Sequence, residues 1–321
     1  MDQVIRFVEK SDLDGLLRLA EQTTFGLTTL TPDRERLADR IDASIAGIAP
    51  LFVMVREQPG DPSYEIIGTS GLFTQVGDAS RDEPFYAYRL ERTVHRSESL
   101  EVHREVDTLH LARVYYGPTE LSTLFLHPDH RGGGNVRVMP LSRFLWMLRE
   151  PDRTDVRVIA EMRGVVSEDG FSAFWEAIGR HFFQVEFPVA DLLSVRDKRF
   201  IAELMPTHPI YVPLLPDDAQ AVIGNVHPKT APAKRFLESE GFYFAEMVDI
   251  FDGGPCLRCD RAAIRTIREA PRCPLVAVSN RLDDRTGQRP DTLVSTARGP
   301  YRAIGSHSER REDGLVLSTR D

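Results

Sequence analysis

The segment Arg131-Gly132-Gly133-Gly134-Asn135 combines residue types that can bind a phosphate through the main chain. Glycines let a backbone approach a ligand closely, and free N–H groups at a helix start attract negative charge. A strand-like run, residues 120–126, precedes the segment, and a helical pattern with Phe144, Leu145 and Leu148 follows it. The spacing is neither the Gly-Lys-Ser/Thr ending of a P-loop nor the G-x-G-x-x-G of a dinucleotide fold. A glycine-rich surface turn is the plainer alternative. His227 stands ahead of a helix in Val226-His227-Pro228-Lys229-Thr230-Ala231-Pro232-Ala233. An imidazole placed there either caps and packs, or exchanges a proton near neutral pH. Cys256 and Cys259 form a single C-x-x-C. A zinc ribbon needs a second pair and a redox centre needs a thioredoxin-like setting, so free thiols are expected.

Elements must hold these groups in place. Residues 4–8 read as a strand. Ser11 reads as the cap of a helix with Leu13, Leu16, Leu17 and Ala20 on one face. Thr31-Pro32 reads as a cap followed by proline in the first helical position, ahead of the stripe Leu37, Ile41, Ile45 and Ile48. Residues 51–56 and 66–76 read as a hairpin through the turn Gln58-Pro59-Gly60-Asp61-Pro62. Residues 94–116 are mixed and carry no assignment. Residues 156–162 form a further strand, and Ser172 caps a helix through Trp175 and Ile178. Thr230, with Pro232 in the first turn, opens a helix that Gly241 closes, and residues 242–251 return as a strand. Strands alternating with helices predict an α/β or α+β sheet layered with helices. Past Ala270, Pro, Gly, Arg and Asp clusters separate short runs such as residues 275–278. Residues 1–270 therefore read as the main region and 271–321 as a small β subdomain or tail.

The 321 residues are 41% apolar and 28% charged, the balance of a soluble globular chain of roughly two domains. With 40 Lys and Arg against 49 Asp and Glu, the net charge is −9. No basic stripe is present, which argues against nucleic acid and against anionic membrane surfaces. A phosphorylated small molecule stays open, because backbone N–H groups bind phosphate without basic surface. Apolar stretches such as residues 51–55 fall far below the roughly 18 residues that span a bilayer. The start Met1-Asp2-Gln3 lacks the features of a signal peptide, and three cysteines suit a reducing interior. A cytoplasmic location is expected.

The Arg131-x-x-Gly134 loop is similar to the pyrophosphate loop of CoA-dependent N-acyltransferases, in which Arg or Gln, two residues, Gly, one residue and Gly or Ala follow in order. Residues 233–242, Ala-Lys-Arg-Phe-Leu-Glu-Ser-Glu-Gly-Phe, resemble the late helix and turn of that superfamily. A tyrosine often found there, which reprotonates the leaving thiolate, is matched by Leu237. Longer stretches carry a more specific likeness. They are Phe25-Gly26-Leu27-Thr28-Thr29-Leu30, Pro84-Phe85-Tyr86-Ala87-Tyr88-Arg89, residues 117–126, residues 159–165, residues 201–206, His208-Pro209-Ile210-Tyr211, the His227 segment and residues 249–255. Together they resemble the arginine N-succinyltransferase family over residues 4 to about 268.

That resemblance implies an α+β, acyl-CoA N-acyltransferase-like mixed sheet layered with helices, with a small C-terminal β subdomain. It implies transfer of a succinyl group from succinyl-CoA to the α-amine of L-arginine in arginine catabolism. Succinyl-CoA is then a co-substrate, no cofactor is bound permanently, and no metal is involved. The resemblance places the proton donor on His227 and the succinyl-CoA contact on Leu124. Leu126, Arg131, Gly134 and Asn135 continue the CoA-binding stretch. The α-amine is the sensible nucleophile, since a guanidinium stays protonated. A backbone N–H near Leu124 can stabilise the oxyanion formed on attack. Arginine recognition calls for carboxylates that pair with the guanidinium fork, and Glu120 and Glu161 on the two central strands are candidates. Arg163 is a candidate for gripping a carboxylate of arginine or of the succinyl group. His95 and His208 receive no task. A homo-oligomer, or a pair with a related unlike subunit, is the expected assembly.

Three departures from the family pattern stand out. Val136 replaces a glycine after the arginine loop, so a side chain projects where a backbone should meet pyrophosphate. Pro140 stands where the helix should be under way, which predicts a late start or a kink. Ser122 replaces the usual cysteine. Beside the active enzyme, two readings stay open: a non-catalytic partner subunit, and an acyltransferase for another amine such as ornithine.

Overall fold

The computed structural model describes residues 3–23, 29–58, 61–194, 199–285 and 289–318. Phe25, Gly26, Leu27 and Thr28 of the first family-like stretch lie outside these residues, as do Pro59 and Gly60 of the expected hairpin turn. Along the chain run β1 (Gln3–Phe7), α1 (Leu13–Ala20), α2 (Arg34–Ile45), β2 (Leu51–Gln58), β3 (Asp61–Phe73), β4 (Phe85–Ser97), β5 (Val102–Val114), β6 (Thr119–Leu126), α3 (Asn135–Arg149) and β7 (Arg157–Glu161). There follow α4 (Ala173–Ala177), α5 (Gly179–Phe183), α6 (Phe187–Ser194), α7 (Arg199–Leu204), β8 (Ile210–Tyr211), α8 (Asp217–Val222), α9 (Ala231–Ser239), β9 (Tyr243–Val248), β10 (Pro255–Asp260) and α10 (Arg265–Glu269). The last part holds β11 (Leu275–Ser279), β12 (Thr292–Ser295), β13 (Arg302–Ser306), β14 (Ser308–Arg311) and β15 (Gly314–Ser318). This is the expected α+β architecture.

The chain forms two compact units that interleave in sequence. One comprises residues 1–74, 121–155 and 262–321, the other 75–120 and 156–261. The units therefore do not meet at residue 270, where the composition changes. The reason lies in strand pairing: β13 pairs antiparallel with β1 (Ile5 opposite Ala303) and β12 with β13, so part of the tail extends the first unit's sheet. Only β11, β15 and β14 make a separate three-stranded sheet.

In the first unit β1, β2 and β3 pair antiparallel, with Ile5 opposite Met54 and Leu51 opposite Gly71. Leu16, Leu19, Leu37 and Ile41 from α1 and α2 pack on Leu51, Val53, Val55 and Ile66. Ile45 and Ile48 are 54% and 66% exposed, so the stripe on α2 ends at Ile41. Helix α3 packs on β3, and nearly all of its second half is buried. Trp146 meets the stacked rings of Phe7 and Phe52 edge-on. Each such side chain contributes roughly 1.5–3 kcal/mol by leaving water.

Two expected caps move. Asp33, not Thr31, caps α2, its carboxylate accepting the N–H groups of Glu35 and Arg36 at 3.1 and 3.2 Å. A carboxylate at the residue before the first turn wins over a more distant hydroxyl. Ser11 caps nothing, since it lies inside a short 3-10 turn closed by Glu9 and Asp12.

In the second unit β6 and β7 run parallel, Glu120 lying opposite Ile159. β7 pairs antiparallel with β10, β10 with β9, β9 with β4, and β4 with β5. Tyr88, Phe174, Trp175, Phe187 and Phe251 centre its core. Residues 94–116, left unassigned from sequence, complete the long β4–β5 hairpin. Its far half is exposed on both faces and tied by Arg92 to Asp107 at 2.7 Å, so no apolar alternation marks it.

Candidate active site

In the first unit, β6 carries an irregularity. Thr123 has φ 51°, in the left-handed region that β-branched residues avoid. Its carbonyl accepts the Thr69 hydroxyl at 2.7 Å. Ser122 and Thr123 are buried, whereas Leu124 just beyond the irregularity is 36% exposed. The expected CoA contact thus sits just past the irregularity.

The glycine loop is braced from both ends. His127 caps a 3-10 turn over Pro128–His130, its Nδ1 accepting the Asp129 N–H at 3.3 Å. Arg131 Nε donates to the Leu126 carbonyl at 3.2 Å, and Asn135 Nδ2 donates to the His130 carbonyl at 3.0 Å. Leu126 and Asn135 thereby shape the loop, with Asn135 nearly buried. Gly133 and Gly134 have φ of +62° and +94°, which glycine adopts without strain. Among the described residues, a side chain built on Gly132 or Gly133 would meet nothing within 4 Å.

Helix α3 begins directly after Gly134, with the Asn135 N–H donating to the Gly132 carbonyl at 3.2 Å and the Arg137 N–H to the Gly134 carbonyl at 2.8 Å. The expected late start does not occur. Pro140 lies inside the helix, and nearby carbonyls are served by side chains: Ser142 Oγ donates to Met139 O at 2.7 Å and Arg143 Nε to Pro140 O at 3.4 Å. Val136 occupies the second helical position and is 51% exposed.

In the second unit, alternation sets the acidic face. Glu120 lies opposite Ile159, Glu161 is two residues further on the same side of β7, and Cys256 lies opposite Glu161. Both glutamates therefore share one face of the sheet. Burial pushes the Cys256 thiol well up, and the charges of Glu161, Glu120 and Asp249 push it further. Cys259, three residues along the same strand, points to the opposite face, which separates the C-x-x-C pair. Among the described residues no group of three or more His, Cys, Asp or Glu could hold a metal ion.

His227 and Arg163 are joined through the main chain. The His227 N–H donates to the Arg163 carbonyl at 2.8 Å, and Gly164 bridges to Val226. His227 caps the turn over Pro228–Thr230, its Nδ1 accepting the Lys229 N–H at 3.1 Å. In a neutral ring this places the proton on Nε2. Arg163, expected to grip a substrate carboxylate, instead faces carboxylates of its own chain. Nη1 lies 3.2 Å from Asp191 and Nε 3.5 Å from Asp252, with the guanidinium over the Phe187 ring.

Asp252 accepts the N–H groups of Gly164 and Gly254, both at 2.8 Å. Burial, with the charge of Asp249 second, pushes its carboxyl up to about 8 against the pull of Arg163 and the two amides. Burial likewise raises Asp191. A side chain on Gly254 would lie 2.1 Å from the Met162 carbonyl, so only glycine fits this crossing. The clamp was not foreseen, although the Asp252-Gly253-Gly254 run, an acid beside two glycines, was the available signal.

Comparisons with known proteins place the chain in a family. The family model for the arginine N-succinyltransferase beta subunit matches residues 3–266. Arginine N-succinyltransferase from Enterobacter sp. (strain 638) is 42% identical over 326 residues, covering 98% of this chain and 92% of that protein. The chain belongs to the arginine N-succinyltransferase family. A second member of the family, from Citrobacter koseri, is 44% identical over 275 residues, covering 83% of this chain and 78% of its own length. The solved structure of arginine/ornithine succinyltransferase subunit AI from Pseudomonas aeruginosa matches with a TM-score of 0.83 at 31% identity, covering 99% of this chain and 93% of that one. Among the described residues no helix is long and apolar enough to cross a membrane.

Proposed function

We propose that the chain transfers the succinyl group of succinyl-CoA to the α-amine of L-arginine, giving N2-succinylarginine and CoA. The observation that carries this reading is the state of His227. Its main-chain N–H is fixed to the Arg163 carbonyl and its Nδ1 to the Lys229 N–H, which sets the orientation of the ring and leaves Nε2 as the nitrogen through which it exchanges a proton. The neutral α-amine attacks the thioester carbon, and the oxyanion meets backbone N–H groups of β6 around Leu124. The C–S bond then breaks, the thiolate takes a proton from the imidazolium form of His227, and the proton that the amine gives up restores that form through solvent. The glycine loop and first turn of α3 receive the CoA pyrophosphate, with Arg131 beside them.

Glu120 and Glu161 supply carboxylates for the guanidinium fork of the acceptor. Arg163 acts as a positioning residue, because Asp191 and Asp252 hold it while its carbonyl orients His227. The setting is the cytoplasm, in arginine breakdown, and the assembly is a homo-oligomer or a pair with a related subunit. The Pseudomonas relative is named for both arginine and ornithine, so ornithine is a second acceptor to compare. Thiol release from succinyl-CoA with arginine or ornithine tests the reading directly.

A further inference from the structure

Both peptide groups that flank the left-handed Thr123 on β6 are gripped by side chains from other elements. The carbonyl of the Thr123–Leu124 peptide accepts the hydroxyl of Thr69 on β3 at 2.7 Å. The carbonyl of the Ser122–Thr123 peptide accepts from Nη1 of Arg143 on α3 at 3.3 Å. The same nitrogen lies 3.4 Å from the Gly71 carbonyl of β3. Thr69, Thr123 and Arg143 are all buried. A β-branched residue at φ 51° carries about 1–3 kcal/mol of backbone strain, and such strain persists only where the surroundings over-determine it. The two side chains supply that hold.

The grip on the first carbonyl has a consequence for the neighbouring N–H. A trans peptide is planar, and its N–H runs antiparallel to its C=O. Fixing the Thr123 carbonyl on Thr69 Oγ1 therefore fixes the direction of the Leu124 N–H, which leaves the peptide on the side away from that hydroxyl. A hydrogen bond accepted by a carbonyl also polarises the peptide and strengthens its N–H as a donor, by roughly 10–30% per bond. The hydroxyl thus acts on the main chain at the residue expected to meet the thioester.

We propose that Thr69 is a positioning residue of the acyl-transfer step, its hydroxyl aiming and polarising the Leu124 N–H toward the oxyanion. This rests on the reading that the thioester lies along β6 at Leu124. Arg143 holds the preceding peptide and ties the irregularity to α3, the helix whose first turn takes the CoA pyrophosphate in the same reading. The charge that needs the N–H develops only when the amine attacks, so a misdirected donor costs turnover and spares CoA binding. A hydroxyl that served stability alone would shift Tm and leave the turnover of the folded protein unchanged.

Two comparisons isolate the hydroxyl. Thr69→Val keeps the shape of the side chain and removes the hydroxyl. Thr69→Ser keeps the hydroxyl without the methyl, and Thr69→Ala removes both. Turnover comes from thiol release with succinyl-CoA and arginine, CoA affinity from calorimetric titration, and the folded state from a thermal melt. Thr69→Val and Thr69→Ala should lower kcat about 10- to 100-fold, no more than deleting an oxyanion donor does, with the KM for arginine and the CoA dissociation constant within about threefold. Thr69→Ser should recover kcat to within about threefold of wild type. If Thr69→Val does not fold, serine against alanine gives the same comparison. An unchanged kcat in the folded valine or alanine variant overturns the positioning role and leaves the transfer reading standing. So does a loss in Thr69→Ser as large as in Thr69→Ala, or a loss of CoA affinity that matches the loss of kcat. A wild type that releases no thiol with arginine overturns the transfer reading, and the positioning role with it.

Discussion

The main-chain N–H of His227 donates to the carbonyl of Arg163 at 2.8 Å, while the Arg163 side chain is held between Asp191 and Asp252. The proposed acid is therefore positioned by a neighbour that is itself clamped. A substitution at the clamp should alter the rate by displacing the histidine, whereas one at His227 removes the proton.

His227→Gln keeps an amide of similar reach but has no proton to give a thiolate. Turnover should fall about a hundredfold or more, the usual scale for a lost general acid. Binding of CoA, measured by calorimetry, should stay within about twofold, because the loop from Arg131 to Asn135 belongs to other elements. Near-normal turnover would make His227 a structural cap of the Pro228–Thr230 turn.

Replacing either carboxylate of the acidic face, by Glu120→Gln or Glu161→Gln, should raise the KM for arginine roughly 10- to 100-fold, the scale of a lost charge-assisted hydrogen bond. The KM for succinyl-CoA should be nearly unchanged. Steady-state kinetics varying each substrate in turn separates the two. Equal effects on both constants would point to a general disturbance of β6 and β7.

Asp252 sets a pH dependence of stability. Its carboxyl is raised to about 8 in the fold, mainly by burial, above an unfolded value near 3.8. Stability from this group is fully present below about pH 4. It is lost as pH rises towards 8, because the unfolded chain ionises first. Each pH unit within that window is worth up to about 1.4 kcal/mol. Wild-type Tm relative to Asp252→Asn should thus decline between pH 5 and 8. A parallel pair of Tm curves would show that Asp252 is ionised in the fold throughout.

Gly254→Ala tests the crossing that brings Asp252 to Gly164. The added carbon would meet the Met162 carbonyl at 2.1 Å and the Gly164 nitrogen at 2.5 Å, both backbone, with Asp252 Oδ1 at 2.9 Å. Overpacking of this kind costs about 1–3 kcal/mol or more. A clear fall in Tm is expected, with a fall in turnover through His227. Unchanged Tm would mean that the crossing relaxes freely.

Much of this was legible in the sequence where a local pattern exists. The strand into the Arg131 loop, the helix after it, the Ser172 cap and the turn at Gly241 each follow from residues a few positions apart. The β4–β5 hairpin did not show itself, because its far half has no buried face to impose an alternation. The cap of α2 was misplaced because Thr31 and Asp33 are both good caps, and only the backbone decides which one faces the free N–H groups. Pro140 did not delay α3, which starts at Asn135 and runs through the proline. The Arg163 clamp draws on Asp191 and Asp252, which no spacing rule connects. The left-handed residue Thr123 sits in a strand that has no glycine, Asn or Pro to mark it.

The most direct measurement incubates the purified chain alone with L-arginine and succinyl-CoA, follows thiol release, and locates the new group by mass spectrometry. One succinyl group on the α-nitrogen, formed with stoichiometric CoA and abolished in His227→Gln, is the predicted result. Thiol release that does not depend on arginine, or an acyl group on the guanidinium, would contradict it.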